Sequence, residues 1–463
     1  MNSKQLKKSI SLSIVAQIVS LLVSAILNLI VPKYVSVVQY SYWQTYLLYI
    51  SYVGILHFGL LDGLVLRYSQ YDYDELNKPL FRSQFQALFC IDLFISSIII
   101  IFTSIKYSGV SFWLIALISL GIITRNIFTY TSYTFQITNR IKLYAFLVLA
   151  QRLFYGIGIM LFVFLGKDNF ILFCITDLLA DVFGIIIGSF FNKGLYFGSL
   201  IPWDDFKHEF IENITAGALL LIANLSSQLL TGAAKMVIQW HWHLLTFGKL
   251  SFSFSVSALF LTFITAISVV LFPSLKRMDP NELPALYTKI RELINPILFF
   301  SLLLYFPGCY LLQLWLPKYS DSLVYLGIML PTIIFSSKVS LLTNNYLKAY
   351  RREKDMLVIN VLVMIIGFSL YLVSAYIFDN INLLLYSLVI IIMFRSVVSE
   401  MVVMKLIDCR LHREFVIEGM ITVLFIICAQ LSNSHLGFIG YALIFSIYLA
   451  YYFSKKYNKS KMV

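Results

Sequence analysis

Asp177 and Asp181 lie four residues apart in the run ITDLLADVF, inside an otherwise apolar stretch. At that spacing two carboxylates share one helical face. There they can hold a proton or a cation, or neutralise a buried arginine. Arg125 and Arg152 fall in neighbouring apolar runs, and Asp92 in a third. A charge at the centre of a bilayer costs about 2.5–3.5 kcal/mol on insertion scales, so each of the five needs a partner. Two chemistries fit them: buried ion pairs that fix helix packing, and a coupling site for a proton or small cation.

A second group has a different balance. Lys235, Lys338 and Arg395 sit in apolar runs with no acid at comparable depth, and Glu400 lies near a run's end. Lys235 is close enough to an end to snorkel. Arg395 is near mid-run and needs water, a carbonyl or an anion. Arginine offers phosphate a planar, bidentate fork. These residues predict a cleft biased positive on one wall, with Lys235, Lys338, Arg395, Arg125 and Arg152 as its substrate-binding cations.

The stretch HFGLLDGLVLRYS, residues 57–69, ends a third apolar run. Gly59 and Gly63 form a G-x-x-x-G, which permits close helix approach and eases bending. Asp62 and Arg67 fall at the mouth of the expected cleft. His57 can change charge near neutral pH or serve as a hydrogen-bonded packing residue. Coupling or gating is expected of Asp62, His57 and Arg67 together with Asp92, Asp177 and Asp181. Uncharged polar residues, among them Gln17, Asn28, Asn224, Ser227, Gln228 and Ser253, are expected on the cleft wall. The run KLSFSFSVSALFLTFITAIS at 249–268 alternates serine with phenylalanine. Such serines either back-bond to their own helix or line a wall suited to sugars.

Other patterns carry less. DYD at 72–74 resembles a metal-binding D-x-D but lies in a short connection without a nucleotide fold around it. His241 and His243 in QWHWH fit an interfacial aromatic belt better than a metal site. No G-x-x-x-x-G-K-[ST] phosphate loop occurs. The five cysteines, Cys90, Cys174, Cys309, Cys409 and Cys428, form no C-x-x-C pair and read as small apolar residues.

The elements that must position these residues follow from composition. The chain has 463 residues, 60% hydrophobic and 13% charged; a soluble chain has about 25% charged residues. Runs of about 20 apolar residues predict membrane helices. Fourteen are read, near 10–31, 42–63, 84–105, 111–135, 143–165, 169–191, 213–240, 249–272, 293–316, 322–346, 356–378, 381–404, 414–431 and 435–453. With the N-terminus in the cytoplasm, 25 of the 35 Lys and Arg residues fall on inner connections and five (Lys33, Lys106, Lys167, Lys249 and Lys318) on outer ones. The remaining five are the intramembrane cations already named. That bias is the positive-inside rule and predicts both termini inside. The formal charge of +12 then reflects topology and anionic lipid, not nucleic acid. The N-terminal apolar run fits a first span rather than a signal peptide.

Three longer inner connections, 67–83, 192–212 and 273–292, read as short amphipathic surface helices, WDDFKHEFIEN at 203–213 among them. YDELNKPLFRSQFQ (73–86) and PNELPALYTKIREL (280–293) resemble one another and follow spans 2 and 8. This predicts two parallel six-helix repeats: an N-terminal lobe at 1–191, a linker at 192–212, a C-terminal lobe at 213–404, and spans 13 and 14 with a basic tail at 405–463. The expected fold class is all-α, a polytopic membrane protein.

Residues 6–69, from LKKSISLSIVAQ to HFGLLDGLVLRYS, resemble the start of bacterial polysaccharide repeat-unit (Wzx-type) flippases of the multidrug/oligosaccharidyl-lipid/polysaccharide superfamily. HFGLLDGLVLRY resembles the Gly-Leu-x-Asp-Gly pattern ending their second span. FGKLSFSFSVSALFLTFITAISVVLFPSLKR at 247–277 resembles their eighth span. The resemblance implies a two-lobe fold and a substrate made of an oligosaccharide on undecaprenyl diphosphate. It also implies transfer to the outer face of the plasma membrane by alternating access driven by a proton or sodium gradient. No cofactor and no enzymatic activity are implied; capsule or O-antigen assembly, a polymerase partner and a monomeric carrier are. One departure is GAAKMVIQW, where Ala233 and Ala234 precede Lys235 and family members often carry an acid. That makes Lys235 a substrate contact rather than a coupling residue. The alternatives are a drug or metabolite antiporter of the same fold, which should have an acidic cleft, and a membrane polymerase or ligase, which should carry a large outer loop.

Overall fold

The helix at Lys78–Lys106 is inside out by the standards of a soluble protein. Its buried face carries Gln84, Asp92, Ser96 and Thr103, while Phe94, Ile98, Ile101, Phe102 and Ile105 are exposed. Ile105 is 82% accessible. An apolar exterior is stable only against lipid, where every backbone polar group must be satisfied within the helix. The pattern recurs along the chain, and the molecule is a multi-pass membrane protein.

The computed structural model describes residues 3–275, 282–408, 412–431 and 433–460, with side chains over 18–259, 261, 282–408, 413–431 and 433–454. The described residues are helical, with no strand. The helices of the first part are α1 (Ser3–Tyr34), α2 (Val37–Ile50), α3 (Leu60–Tyr68), α4 (Lys78–Lys106), α5 (Gly109–Ile137), α6 (Ile141–Phe164), α7 (Phe170–Phe191) and α8 (Trp203–His241). Then follow α9 (Leu244–Leu275), α10 (Leu283–Leu303), α11 (Tyr305–Trp315), α12 (Leu323–Met329), α13 (Thr332–Lys338), α14 (Asn344–Ala349), α15 (Glu353–Leu372), α16 (Ile381–Leu406), α17 (His412–Ala429) and α18 (Ser434–Ser460). Asparagines start several: Asn77, Asn169 and Asn380 accept hydrogen bonds from Leu80, Ile171 and Leu383 backbone N–H groups, each satisfying one orphan donor of a helix N-terminus.

Each of the fourteen expected spans overlaps a helix or a bent helix pair. Among the described residues nine helices are long and apolar enough to cross a bilayer, or eleven if two bent pairs each count once. Those pairs are bent by 58° between 37–57 and 60–68, and by 44° between 317–329 and 332–349. A five-residue π-helix, Val339–Thr343, interrupts the second pair after Lys338.

The expected surface helices are corrected. Residues 203–213 are the first turns of the continuous 39-residue helix α8. The other two connections lead directly into α4 and α10, each with a proline in its first turn; residues 276–281 lie outside the described set. The amphipathic patterns therefore mark the polar ends of long membrane helices.

The chain divides into two compact units, Met1–Leu225 and Ser226–Val463. The division falls within α8, beyond the expected lobe boundary at 213. The first half of α8 is fastened to α3 inside the first unit. Arg67 pairs with Glu209 at 2.8 Å and Glu212 at 2.5 Å, and Tyr68 Oη donates to Glu209 at 2.7 Å. Arg67 also donates to Asn213 Oδ1 at 2.7 Å.

Candidate functional site: buried charge in the two units

In the first unit, α5 and α7 face each other through Arg125, Asp177 and Asp181. The arginine Nη2 lies 2.6 Å from Asp177 and its Nε 3.3 Å from Asp181. Tyr46 donates to Asp177 at 3.0 Å and Gln151 to Asp181 at 3.0 Å. The four-residue spacing thus lets one guanidinium meet both carboxylates. The five charges do not all join one network. Arg152 donates to Ser24 at 2.6 Å and stands over the Tyr155 ring; Asp92 accepts from Asn126 at 2.9 Å. Arg125 as a phosphate contact is corrected, because two carboxylates already neutralise it.

The second span breaks at HFG. Phe58 and Gly59 both take left-handed backbone conformations, φ 51° and 88°, and α3 starts anew at Leu60. The His57 and Asp62 side chains are buried and 3.9 Å apart. His57 Nδ1 accepts the Gly59 N–H at 3.1 Å, so the imidazole helps hold the break. Gly59 and Gly63 allow backbone contact: a Cβ on Gly63 would collide with the Asn213 carbonyl, and one on Gly59 with Gly217 and Ala218 of α8.

The second unit holds two arrangements of opposite kind. One is dense. Arg291 of α10 reaches Glu400 of α16 at 2.7 Å, Glu418 of α17 at 2.7 Å, and Glu414. Lys338 of α13 is ion-paired with Glu418 at 2.6 Å and with Glu400. Asn295 adds a donor to Glu418 at 2.7 Å. Lys338 as a substrate-facing cation is therefore corrected: it is 1% exposed and bound by two carboxylates. Sequence reasoning missed Arg291, Glu414 and Glu418 because they lie near the expected ends of spans 9 and 13. The available signal was the four-residue spacing of Glu414 and Glu418.

The other arrangement is sparse. Arg395 is 7% exposed. Its Nε donates to Asn360 at 2.9 Å and its Nη2 to Ser227 at 2.9 Å. Both partners are neutral, and among the described residues no carboxylate pairs with it. Lys235 likewise has no ion pair among the described residues; its ammonium lies 4.9 Å from the Phe254 ring centroid. Ser227 and Lys235 are eight residues apart, so α8 carries both on one face, about 12 Å apart along the axis. Asn224 and Gln228 on α8 are exposed. Asn28 is half-buried on α1, and the side chain of Gln17 lies outside the described residues.

Ser253 as a cleft-wall hydroxyl is corrected. It is fully buried and donates to the Ser322 carbonyl at 2.8 Å. Ser251 and Ser257 are also buried. The described part of the serine–phenylalanine run packs inside the unit.

No protein-family model matches the sequence, and no curated protein matches it. Solved structures do. One titled "Lipid II flippase MurJ, inward closed conformation" aligns over 97% of this chain and 99% of its own, with TM-score 0.68 and 11% identity. An inward-facing multidrug resistance MATE family transporter of the MOP superfamily aligns over 85% and 98%, with TM-score 0.61 and 12% identity. A MOP superfamily transporter from Pyrococcus furiosus, described as having a binding pocket of reversed polarity, aligns over 87% and 96%, with TM-score 0.52 and 12% identity. The chain has the fold of these MOP-superfamily proteins.

Proposed function

We propose that this protein is a flippase for lipid-linked oligosaccharides, carrying undecaprenyl-diphosphate-linked repeat units across the bacterial plasma membrane for surface polysaccharide assembly. The observation that supports it best is Arg395, a buried guanidinium held by Asn360 and Ser227 with no carboxylate among the described residues. Such a cation is costly unless an anion meets it, and diphosphate is an anion that suits a guanidinium fork. Lys235, on the same face of α8 as Ser227, supplies a second positive charge. The fold shared with a lipid II flippase supports a lipid-linked substrate. Alternating access driven by an ion gradient, with both termini cytoplasmic, completes the reading.

Antiport of cationic drugs by the same fold is the other reading. It needs carboxylates that can reach a bound cation, whereas Asp177 and Asp181 are both engaged by Arg125 and Asp92 is sealed in the helix packing at 0% exposure. The test is deletion of the gene in its host. Lipid-linked repeat units should accumulate on the cytoplasmic face; their normal export would remove the proposal.

A further inference from the structure

Asp92 is fully buried between α4 and α5, at 0% exposure. Its Oδ1 accepts the Asn126 amide at 2.9 Å, but its Oδ2 has no hydrogen-bond partner. On the other side chain, Asn126 is also at 0% exposure and its Oδ1 is unpartnered. Thus one contact is made and two oxygens of the same pair are left over. A buried carboxylate that accepts one hydrogen bond and meets no cation is strongly disfavoured.

No charged group supplies the missing compensation. Besides Asp92, the ionisable residues of α4 are Lys78, Arg82, Cys90 and Lys106; Lys78 lies over the Tyr73 ring, Arg82 is bonded to the Gly194 and Ser199 carbonyls, and Lys106 lies at the far end over Phe102 and Tyr107. On α5, Arg125 is committed to Asp177 and Asp181, and Tyr130 donates to the Phe81 carbonyl; Tyr133 is half-buried. Two short helices also pack on α4: Val53–His57 offers His57, already beside Asp62, and Lys193–Leu195 offers Lys193, whose ammonium stands over the Phe190 ring. Among the described residues Asp92 has no ion pair.

We propose that Asp92 binds a proton on Oδ2 and shares it with Asn126 Oδ1. The carboxylate takes up the proton to become a neutral acid, and acid and amide then form a ring of two hydrogen bonds. One is the observed Asn126 Nδ2–H to Asp92 Oδ1; the other runs from the Asp92 hydroxyl to Asn126 Oδ1. The proton satisfies both leftover oxygens at once, whereas a bound metal cation would need several more oxygen ligands than this one pair offers. The site is separate from the Arg125–Asp177–Asp181 cluster. Resting on the transport reading, it is the place where the first unit takes up the coupling proton.

The test is infrared spectroscopy of the full-length protein in lipid at neutral pH. A protonated-carboxyl C=O band should be present in the wild type and lost in Asp92→Asn, whose amide can form the same two-bond ring and preserve the fold. If Asp92→Asn does not fold, Asn126→Leu should retain the band but shift its frequency, because the hydroxyl loses its acceptor. Identical carboxyl bands in wild type and Asp92→Asn, or no shift in Asn126→Leu, overturn the proposal. So does a wild-type band that disappears on adding sodium at constant pH. Transport of a lipid-linked saccharide into proteoliposomes is scored separately. Flux should depend on pH in the wild type and lose that dependence in Asp92→Asn. A protein that shows the band but carries no such lipid refutes the transport reading and leaves the proton site standing.

Discussion

Lys338 Nζ lies 2.6 Å from a carboxylate oxygen of Glu418, which ties α13 to α17 deep inside the second unit. The same glutamate meets Arg291, and Glu400 meets both cations. The thirteenth expected span is thereby fastened to the bundle by charge as well as by apolar packing.

Breaking that network from one side should be costly. Lys338→Met leaves Glu400 and Glu418 short of a cation, and removing one partner of a buried pair typically costs about 3–5 kcal/mol. Thermal unfolding in detergent should show this loss. Adding Glu418→Gln to Lys338→Met should recover part of it, the sign of an interacting pair. Additive losses would contradict the ion pair.

Gly63→Ala should destabilise by about 1–3 kcal/mol, the usual range for overpacking, because the new methyl meets the Asn213 carbonyl. Gly54→Ala is the control, since nothing lies within 4 Å of a Cβ there. Unfolding midpoints of the two variants check this; equal midpoints would contradict the close contact between α3 and α8.

Ser253→Ala should cost about 0.5–1.5 kcal/mol of stability, the worth of an ordinary hydrogen bond, with unchanged affinity for saccharide. Unfolding and binding measured on one preparation separate the two effects. Weakened binding at full stability would restore Ser253 to the substrate wall.

Much of the fold was legible because bilayer thickness sets a length scale that apolar runs reveal. The Asp177–Asp181 spacing and the glycines of HFGLLDG were legible for a similar reason: a short helical repeat fixes which side chains share a face. Lys338 was not. Its partners come from α16 and α17, far along the chain, and sequence spacing carries no information about which helices touch. Ser253 fails for a related reason, since alternating serine and phenylalanine gives no sign of which face meets protein. WDDFKHEFIEN shows a third limit: an amphipathic segment has the same pattern whether it stands alone or begins a longer helix.

Arg395 is the proposed contact for the phosphate groups of a lipid-linked substrate. The most direct measurement is binding of an undecaprenyl-diphosphate saccharide to purified wild type, Arg395→Lys and Arg395→Gln. Asn360 and Ser227 keep polar partners for glutamine, so Arg395→Gln should fold. Arg395→Gln should lose affinity roughly tenfold or more, equivalent to about 1.4 kcal/mol, with Arg395→Lys intermediate because it keeps the charge and loses the fork. Wild-type affinity in a folded Arg395→Gln would contradict it.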